Sequence, residues 1–443
     1  MNIIGISEGY HDAGFTLLQG SKIVFASHSE RYSRKKGDKW IHPDMWPKST
    51  RYQPDVVAYY EKPFRKNLRR LYAGQKWQKP RVQYDVAFSH HESHAAAGFY
   101  TSTFDECNVL VVDAIGEWDT ISIWEGKNNI LKKIKSWKYP YSLGLLYSAI
   151  TQRIGLKPNE DEYITMGMAA YGEPLYDLEP LLWENNHKGI KLPYFHFRDL
   201  AASIQALYEK KFLELVDMCP HENLVIMGGC ALNCVANSKI KGKKIWIMPS
   251  PGDAGSSLGA AALVRKRRLR WRTPYLGYPI LQGMKVKEVV RCLEKNKIAG
   301  VATGKAEFGP RALGNRSLLA DPRYEVKDTV NDIKRRQRYR PFAPAILDEF
   351  ADEYFEGPMN EYMQFVATAK HDYNSVTHID GTARVQVVTQ SCGSLLRSIL
   401  EEWYEKTGCP MLLNTSLNIK GEPMINTWEQ AEEWSRKYNV PVF

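Results

Sequence analysis

The stretch that decides the fold runs from Ile3 to Ala26, IIGISEGYHDAGFTLLQGSKIVFA, and it has an echo from Val109 to Ile134, VLVVDAIGEWDTISIWEGKNNILKKI. Each copy reads as an apolar strand, a turn carrying Gly and Asp, an alternating strand, a Gly-centred turn and a third strand. Two such meanders about a hundred residues apart predict a duplicated α/β domain.

Duplicated units of this kind open each half of the actin/Hsp70/sugar-kinase fold. Helical patterns at Ser142–Ile154 and Leu200–Met218, and the strand, Gly-Gly turn and helix start of NLVIMGGCALNCVANSKI, extend the α/β reading. Arg265–Pro279, charged and then punctuated by Pro and Gly, reads as a linker. We therefore expect one domain over residues 1–272 and a smaller α/β domain over 280–443. The smaller one should hold helices at Lys285–Lys295 and Ser391–Lys406 and strands at Ile298–Thr303, Ala383–Val388 and Met411–Asn414.

A chain of 443 residues with 44% hydrophobic and 25% charged residues has the composition of a soluble globular protein. No apolar run reaches the roughly 18 residues of a membrane span, and no basic leader precedes the first apolar stretch, so a cytoplasmic location without a membrane partner is expected. The seven cysteines include no CxxC pair and read as reduced thiols. The formal charge of +10 points toward a polyanionic partner.

Chemistry-bearing residues cluster in a few motifs. In SHHESHAAAGFY, His90 and His94 stand four apart, which places both imidazoles on one helix face, while His91 points elsewhere. Asp113 closes the strand VLVVD, and Asp253 lies in the Gly-rich turn PSPGDAGSSLGAA. Two histidines with one or two carboxylates form a mixed N/O set suited to iron(II), manganese or zinc. The Gly228–Gly229 pair and Asn233 give a ligand phosphate room at a helix start. In the second domain Arg311, Arg316, Arg323, Arg340 and Arg384 sit on Gly- and Pro-rich turns, as bidentate oxyanion recognition requires. Asn414, Ser416 and Asn418 follow a buried strand and could hold a nucleotide. The sequence has no GxGxxG, Walker, GxSxG or HExxH motif, so nucleotide binding would use another architecture.

The runs GISEGYHDAGFTLL, SERYSRKKGD, HHESHAA, MGMAAYGEP, GGCALNCVAN, EFGPRALGNRSLLADPR, YRPFAPAIL, HIDGTARVQ and LLNTSLNIKGEP together resemble the NodU/CmcH family of O-carbamoyltransferases over almost the whole chain. The resemblance implies an actin/Hsp70-like metal domain with iron(II), followed by a YrdC-like domain that joins carbamoyl phosphate to ATP, with Mg, as carbamoyl-adenylate. It places His90, His94, Asp253 and Asp113 on the metal, and His11 beside the acceptor as a base with a pKa near neutrality. It puts Lys36 toward the adenylate, whose phosphate the Gly228, Gly229 and Asn233 turn would also take, and Arg311, Arg340, Arg384 and Asn414 in the carbamoyl phosphate/ATP pocket. The sequence departs from the family at Ile164, where Lys is usual, at Ala170 and at Ala114.

The expected acceptor is a hydroxyl, and the basic runs RYSRKKGDK, FRKNLRRLY, KWQKPR, KIKGKK and KRRLRWR, interleaved with aromatics, favour a hydroxymethylated base in DNA or a nucleotide. A natural-product carbamoyltransferase, a tRNA threonylcarbamoyl transferase and a binding protein without turnover are the competing readings. A homodimer is allowed for.

Overall fold

The computed structural model describes residues 1–47, 49, 52–192 and 195–443. The chain forms two compact units, Met1–Ser29 with Gly37–Trp271, and Glu30–Lys36 with Arg272–Phe443.

The first unit contains the same sheet twice. Strands β1 (Asn2–Ser7), β2 (Gly14–Gln19), β3 (Lys22–His28), β4 (Val56–Tyr59) and β5 (Val86–Ala87) lie in the order β3-β2-β1-β4-β5. Strands β6 (Glu106–Val112), β7 (Asp119–Lys127), β8 (Ile130–Lys138), β9 (Asn223–Met227) and β10 (Lys244–Trp246) lie in the order β8-β7-β6-β9-β10. In both sheets the first three strands form an antiparallel meander and the last two join in parallel. This repeated topology is the duplicated actin/Hsp70-like fold. The central strands β1 and β6 are almost wholly buried, which explains their near-continuous apolar runs. Strand β8 is an edge, and the lysines of ILKKIKSWK guard it.

The chain's first helix, the single turn α1 (Glu30–Ser33), lies in the excursion that belongs to the second unit. In the first unit follow α2 (Pro63–Tyr72), α3 (His90–Thr101), α4 (Leu143–Arg153), α5 (Glu162–Ala169), α6 (Phe197–Asp217), α7 (Cys234–Ser238) and α8 (Asp253–Arg265). Helix α8 lies on the first sheet and α3 on the second, and the two pack on each other. Their small residues permit this. A Cβ on Gly259 of α8 would stand 1.7 Å from the Ser93 carbonyl oxygen of α3, so the two backbones touch.

In the second unit β12 (Ile298–Ala302), β14 (Arg316–Ala320), β15 (Ala343–Leu347), β19 (Gln386–Val388) and β20 (Met411–Ser416) form a sheet in the order β12-β14-β20-β15-β19. A two-stranded ribbon, β11 (Tyr275–Ile280) with β13 (Gly304–Glu307), and a small sheet of β16 (Phe355–Glu356), β17 (Ala367–Ala369) and β18 (Thr382–Ala383) accompany it. Helices α9 (Val286–Asn296) and α12 (Leu396–Thr407) cover one face through Leu319 and Leu412. Helices α10 (Lys327–Ile333) and α13 (Trp428–Tyr438) cover the other through Leu318 and Leu413, and α11 (Asp348–Tyr354) follows β15. Adjacent leucines thus serve opposite faces, as the two-residue strand period requires. The run expected as one strand over Ala383–Val388 is divided between β18 and β19.

A boundary between 272 and 280 also leaves out the Glu30–Lys36 excursion. The buried Arg31 donates to the Gly309 carbonyl at 2.8 Å, and Arg34 donates to the carbonyls of Met424 at 2.6 Å and Pro423 at 2.8 Å, which ties the excursion into the second unit.

Because the contact at Gly259 is backbone to backbone, Gly259→Ala should cost about 3 kcal/mol in urea unfolding of the full chain. Gly167→Ala, in α5 with nothing within 4 Å of the new methyl, should be neutral or stabilising by up to about 1 kcal/mol.

Candidate metal centre and anion pocket

The packing of α3 on α8 sets the first site. Helix α3 begins with a capping box in which the Glu92 carboxylate accepts the Ser89 N–H at 3.3 Å, so its first turn is fixed. His90 and His94 lie one turn apart on it, Asp253 opens α8, and Asp113 follows the last residue of β6. One ligand atom from each of these four buried residues falls within a 4.8 Å cluster.

His90 Nε2 is 3.0 Å from Asp113 Oδ2, 3.1 Å from His94 Nε2 and 3.4 Å from Asp253 Oδ1, and His94 Nε2 is 3.3 Å from Asp253 Oδ1. Ligands about 2.1 Å from one cation stand about 3.0 Å apart in an octahedron and about 3.4 Å apart in a tetrahedron. The spacing therefore suits a divalent metal. Among the described residues Asp253 Oδ2 is buried with no hydrogen-bond partner, which suits an anionic oxygen beside a cation. The shell around the four supports the same reading. His94 Nδ1 is 3.0 Å from the Pro251 carbonyl, which fixes it as the N–H and leaves Nε2 as the ligand. Gly229 N–H donates to Asp113 Oδ1 at 3.1 Å, made possible because Gly228 adopts φ +94° and packs where a Cβ would lie 2.2 Å from the Val112 carbonyl oxygen.

Burial lowers the pKa of His90, but the charge of Asp253 and the bonds to Asp113 and Asp253 raise it well above the ordinary value. Burial raises the Asp253 carboxyl, and His90 and His94 more than reverse that. His91, as expected, turns away, with Nδ1 2.8 Å from Ser122 Oγ.

His11 lies in the turn between β1 and β2, with Nδ1 3.0 Å from Asp12 Oδ2. Burial lowers its pKa, but the Asp12 bond and the charges of Asp253, Asp12 and Asp113 push it up to about 9. The shift lies upward from the expected value near neutrality, because the ring stands within the field of the cluster's carboxylates.

Of the proposed adenylate contacts, Gly229 serves Asp113, and Asn233 caps α7 through Ala236 N at 3.1 Å and pairs with Gln205 at 3.0 and 3.1 Å. Lys36 belongs to the second unit, where its ammonium meets both Glu30 oxygens at 2.9 Å.

The second site lies in the second unit. Asn414, on β20, donates to the Ala312 carbonyl at 3.2 Å and to Gln386 Oε1 at 2.7 Å, and it pairs in register with Ala343. Arg311, Arg384 and Arg340 stand one, two and three residues along the chain from Ala312, Gln386 and Ala343, the residues that bond to or pair with Asn414. Asn414 Oδ1 is buried and accepts nothing among the described residues. Arg316 is fully buried and donates to main-chain carbonyls, among them Thr303 at 2.7 Å and Tyr278 at 2.9 Å, which makes it a structural residue. Arg323 is paired with Asp321 at 2.8 Å.

Sequence reading missed several polar residues at these sites. Glu117, in the quoted GEW turn, accepts the His90 N–H at 3.2 Å and the Lys62 N–H at 2.8 Å. Glu61 Oε2 lies 3.9 Å from His90 Nδ1, and the Glu61 carboxylate is paired with the buried Lys66. Lys334 is buried against Ser416 and Asn418, which it bonds at 3.0 Å, and burial followed by Arg336 and Arg340 holds its pKa well below the ordinary lysine value. Only Glu117 sat in a motif that could have flagged it.

Comparison with known proteins gives a consistent family. Residues 47–182 and 184–262 match the family model described as Carbamoyltransferase N-terminus, and residues 290–443 match Carbamoyltransferase C-terminus. An uncharacterised Synechocystis protein is 31% identical, with 97% of this chain and 93% of that one covered. The alignment spans 573 positions, so that relative has stretches with no counterpart here. Nodulation protein NolNO of Sinorhizobium fredii is 32% identical over 77% of this chain and 60% of its own length. Among solved structures, the activator of 2-hydroxyisocaproyl-CoA dehydratase from Clostridium difficile, with bound ADPNP, aligns over 60% of this chain and 94% of its own at a TM-score of 0.40 and 14% identity.

Purified protein loaded with iron(II), manganese(II) or zinc(II) should hold one cation per chain by elemental analysis, and His90→Ala or His94→Ala should lower the affinity at least about tenfold. Binding should also weaken as pH falls, because the imidazoles must shed protons to ligate.

Proposed function

This chain belongs to the carbamoyltransferase family, and we infer that it makes carbamoyl-adenylate in its second unit and passes the carbamoyl group to a hydroxyl acceptor in its first. The observation that carries this reading is the separation of two sites of different chemistry. One is a two-histidine, two-carboxylate cluster in the duplicated unit, and the other a buried asparagine of the second unit, whose partners Ala312 and Gln386 stand one residue from Arg311 and two from Arg384 in the chain.

In the activation step, water releases phosphate from carbamoyl phosphate, the carbamate oxygen attacks the α-phosphorus of ATP, and the α–β bond breaks to release pyrophosphate. Arg311, Arg340 and Arg384 supply cationic donors for the phosphate oxygens. Asn414 Oδ1, a buried acceptor without a partner among the described residues, suits the carbamoyl NH₂. On this reading the second unit is a YrdC-like activation module that takes ATP with Mg.

In the transfer step the acceptor oxygen bonds to the carbonyl carbon, the carbon–oxygen bond to the adenylate phosphate breaks, and AMP leaves. His11, its Nδ1 turned to Asp12, presents Nε2 to take the hydroxyl proton. A divalent cation held by His90, His94, Asp113 and Asp253 would offset the charge of the departing phosphate. Glu117 and Gly229 hold His90 and Asp113 in place.

A second reading, that the acceptor is a hydroxymethylated base in DNA, rests on the formal charge of +10. Its local support is narrower than the sequence suggests, since many charges in the basic runs have internal partners. Arg69 donates to the Ile115 and Gly116 carbonyls, Lys243 to those of Cys219 and His221, and Arg268 to that of Ser102.

Two experiments test these readings. Arg311→Ala should abolish pyrophosphate release dependent on carbamoyl phosphate, while His11→Ala should keep it and stop transfer to a panel of hydroxylated acceptors followed by mass spectrometry. Transfer by the wild type should rise with pH through a midpoint between the ordinary histidine value of 6.5 and about 9 as His11 loses its proton, and that limb should vanish in His11→Ala. An Arg311→Ala protein that still makes the adenylate at full rate refutes the division of labour. For DNA, binding should fall about tenfold per tenfold rise in salt for each phosphate contacted, and hydroxymethylated DNA should gain the carbamoyl mass. Salt-independent or absent binding with no mass gain returns the acceptor to the small molecules.

A further inference from the structure

Helix α2 is turned inside out. A surface helix ordinarily hides its apolar stripe and shows its charges to water. In α2 the residues Phe64, Leu68, Leu71 and Tyr72 fall at i, i+4, i+7 and i+8, which makes one stripe. They are 65%, 44%, 52% and 61% exposed, whereas Lys66 and Asn67 on the far side are buried. Trp77, 47% exposed, extends the stripe and meets the Phe64 ring at 6.1 Å.

The inner face cannot be exchanged for the outer one. The Lys66 ammonium pairs with the Glu61 carboxylate. Asn67 donates to the Gln78 carbonyl at 2.9 Å and accepts the Gln78 N–H at 2.8 Å, and Arg69 donates to the Gly116 carbonyl at 2.6 Å. Rolling the helix to hide its stripe would break these bonds and leave Glu61, 2% exposed, without its counter-ion. The exposed stripe is a fixed feature of the fold.

Charge selects the occupant. Residues 62–84 contain eight Lys or Arg and no Asp or Glu, and Arg65, Lys76 and Lys79 are exposed around the stripe. A second copy laid on this face about a twofold axis would set the cationic stretch against itself. A nucleic acid would stack on the aromatic rings but leave Leu68 and Leu71 unused, and Arg69 and Arg70 are already engaged with main-chain carbonyls. An anionic lipid surface uses all of these features, taking the aliphatic and aromatic side chains into its acyl boundary and the surrounding Lys and Arg against its headgroups. We propose that α2 with Trp77 is an interfacial helix that seats the protein on anionic membranes. Such a seat lies in the interface and spans nothing, and the described residues contain no helix long and apolar enough to cross a bilayer. The seat is independent of the carbamoyl-transfer reading.

The test is flotation of the full chain with vesicles of phosphatidylcholine alone and of phosphatidylcholine mixed with phosphatidylserine. The wild type should float with the mixed vesicles, float less as salt rises, and stay behind with phosphatidylcholine. Phe64→Ser/Leu68→Ser, which alters only outward side chains and should leave the melting temperature unchanged, should bind the mixed vesicles at least about tenfold more weakly. Failure of the wild type to float, or equal flotation of the double variant, overturns the proposal. So does a wild type that leaves the vesicles alone and instead loses self-association or single-stranded DNA binding in the double variant.

Discussion

Helices α3 and α8 meet backbone against backbone at Ser93 and Gly259, and the first unit depends on that contact. It lets a helix from each half approach closely enough for the His90–His94 pair to face the Asp253 that opens α8. A larger residue at 259 would part the helices, and the nearest of the clustered side-chain atoms, 3.0–3.4 Å apart across His90, His94, Asp113 and Asp253, would part with them. The cluster is thus a consequence of small residues placed for packing, and AAAG in α3 and DAGSSLGAAA in α8 serve geometry as much as chemistry.

This explains which parts of the fold and site were legible in the sequence. The meander repeated at Ile3 and Val109 was readable because strand alternation and turn glycines are local signals, and the two sheets share one strand order. The histidine pair was readable because i, i+4 spacing on a helix fixes its own geometry. The structural role of Asn233 was not readable for a related reason. It stands in a Gly-rich motif, but its amide caps α7 and pairs with Gln205, and no local pattern shows a partner 28 residues away. Glu61, Lys66 and Lys334 were missed because each is defined by burial and by partners that only the folded chain brings close.

Charge was the least legible property. The basic runs suggested a phosphate-binding surface, but a count of lysines and arginines does not say which of them the fold consumes. Arg31 and Arg34 bind main-chain carbonyls of the second unit, Lys36 is paired with Glu30, and Lys243 and Arg268 donate to carbonyls of the first. Such bonds satisfy buried carbonyls that would otherwise be costly. They also engage those cations within the chain, so net charge overstates the surface available to a polyanion.

Helix α2 shows the opposite limit, where the period was legible and the polarity was not. FRKNLRRLY has the spacing of an amphipathic helix, and amphipathic spacing says that one face is apolar without saying which way it points. Here the orientation is set by a buried ion pair. Such a pair seldom adds net stability, so Lys66–Glu61 acts chiefly as a determinant of orientation, holding the polar face inward against the cost of an exposed apolar stripe. The same Glu61 lies 3.9 Å from His90 Nδ1, and Arg69 of the same helix holds the Ile115–Gly116 turn beside Glu117, which in turn accepts the His90 N–H. The surface presented by α2 and the orientation of a metal-type histidine are therefore fixed by one set of contacts, and a change that rotated the helix would disturb both.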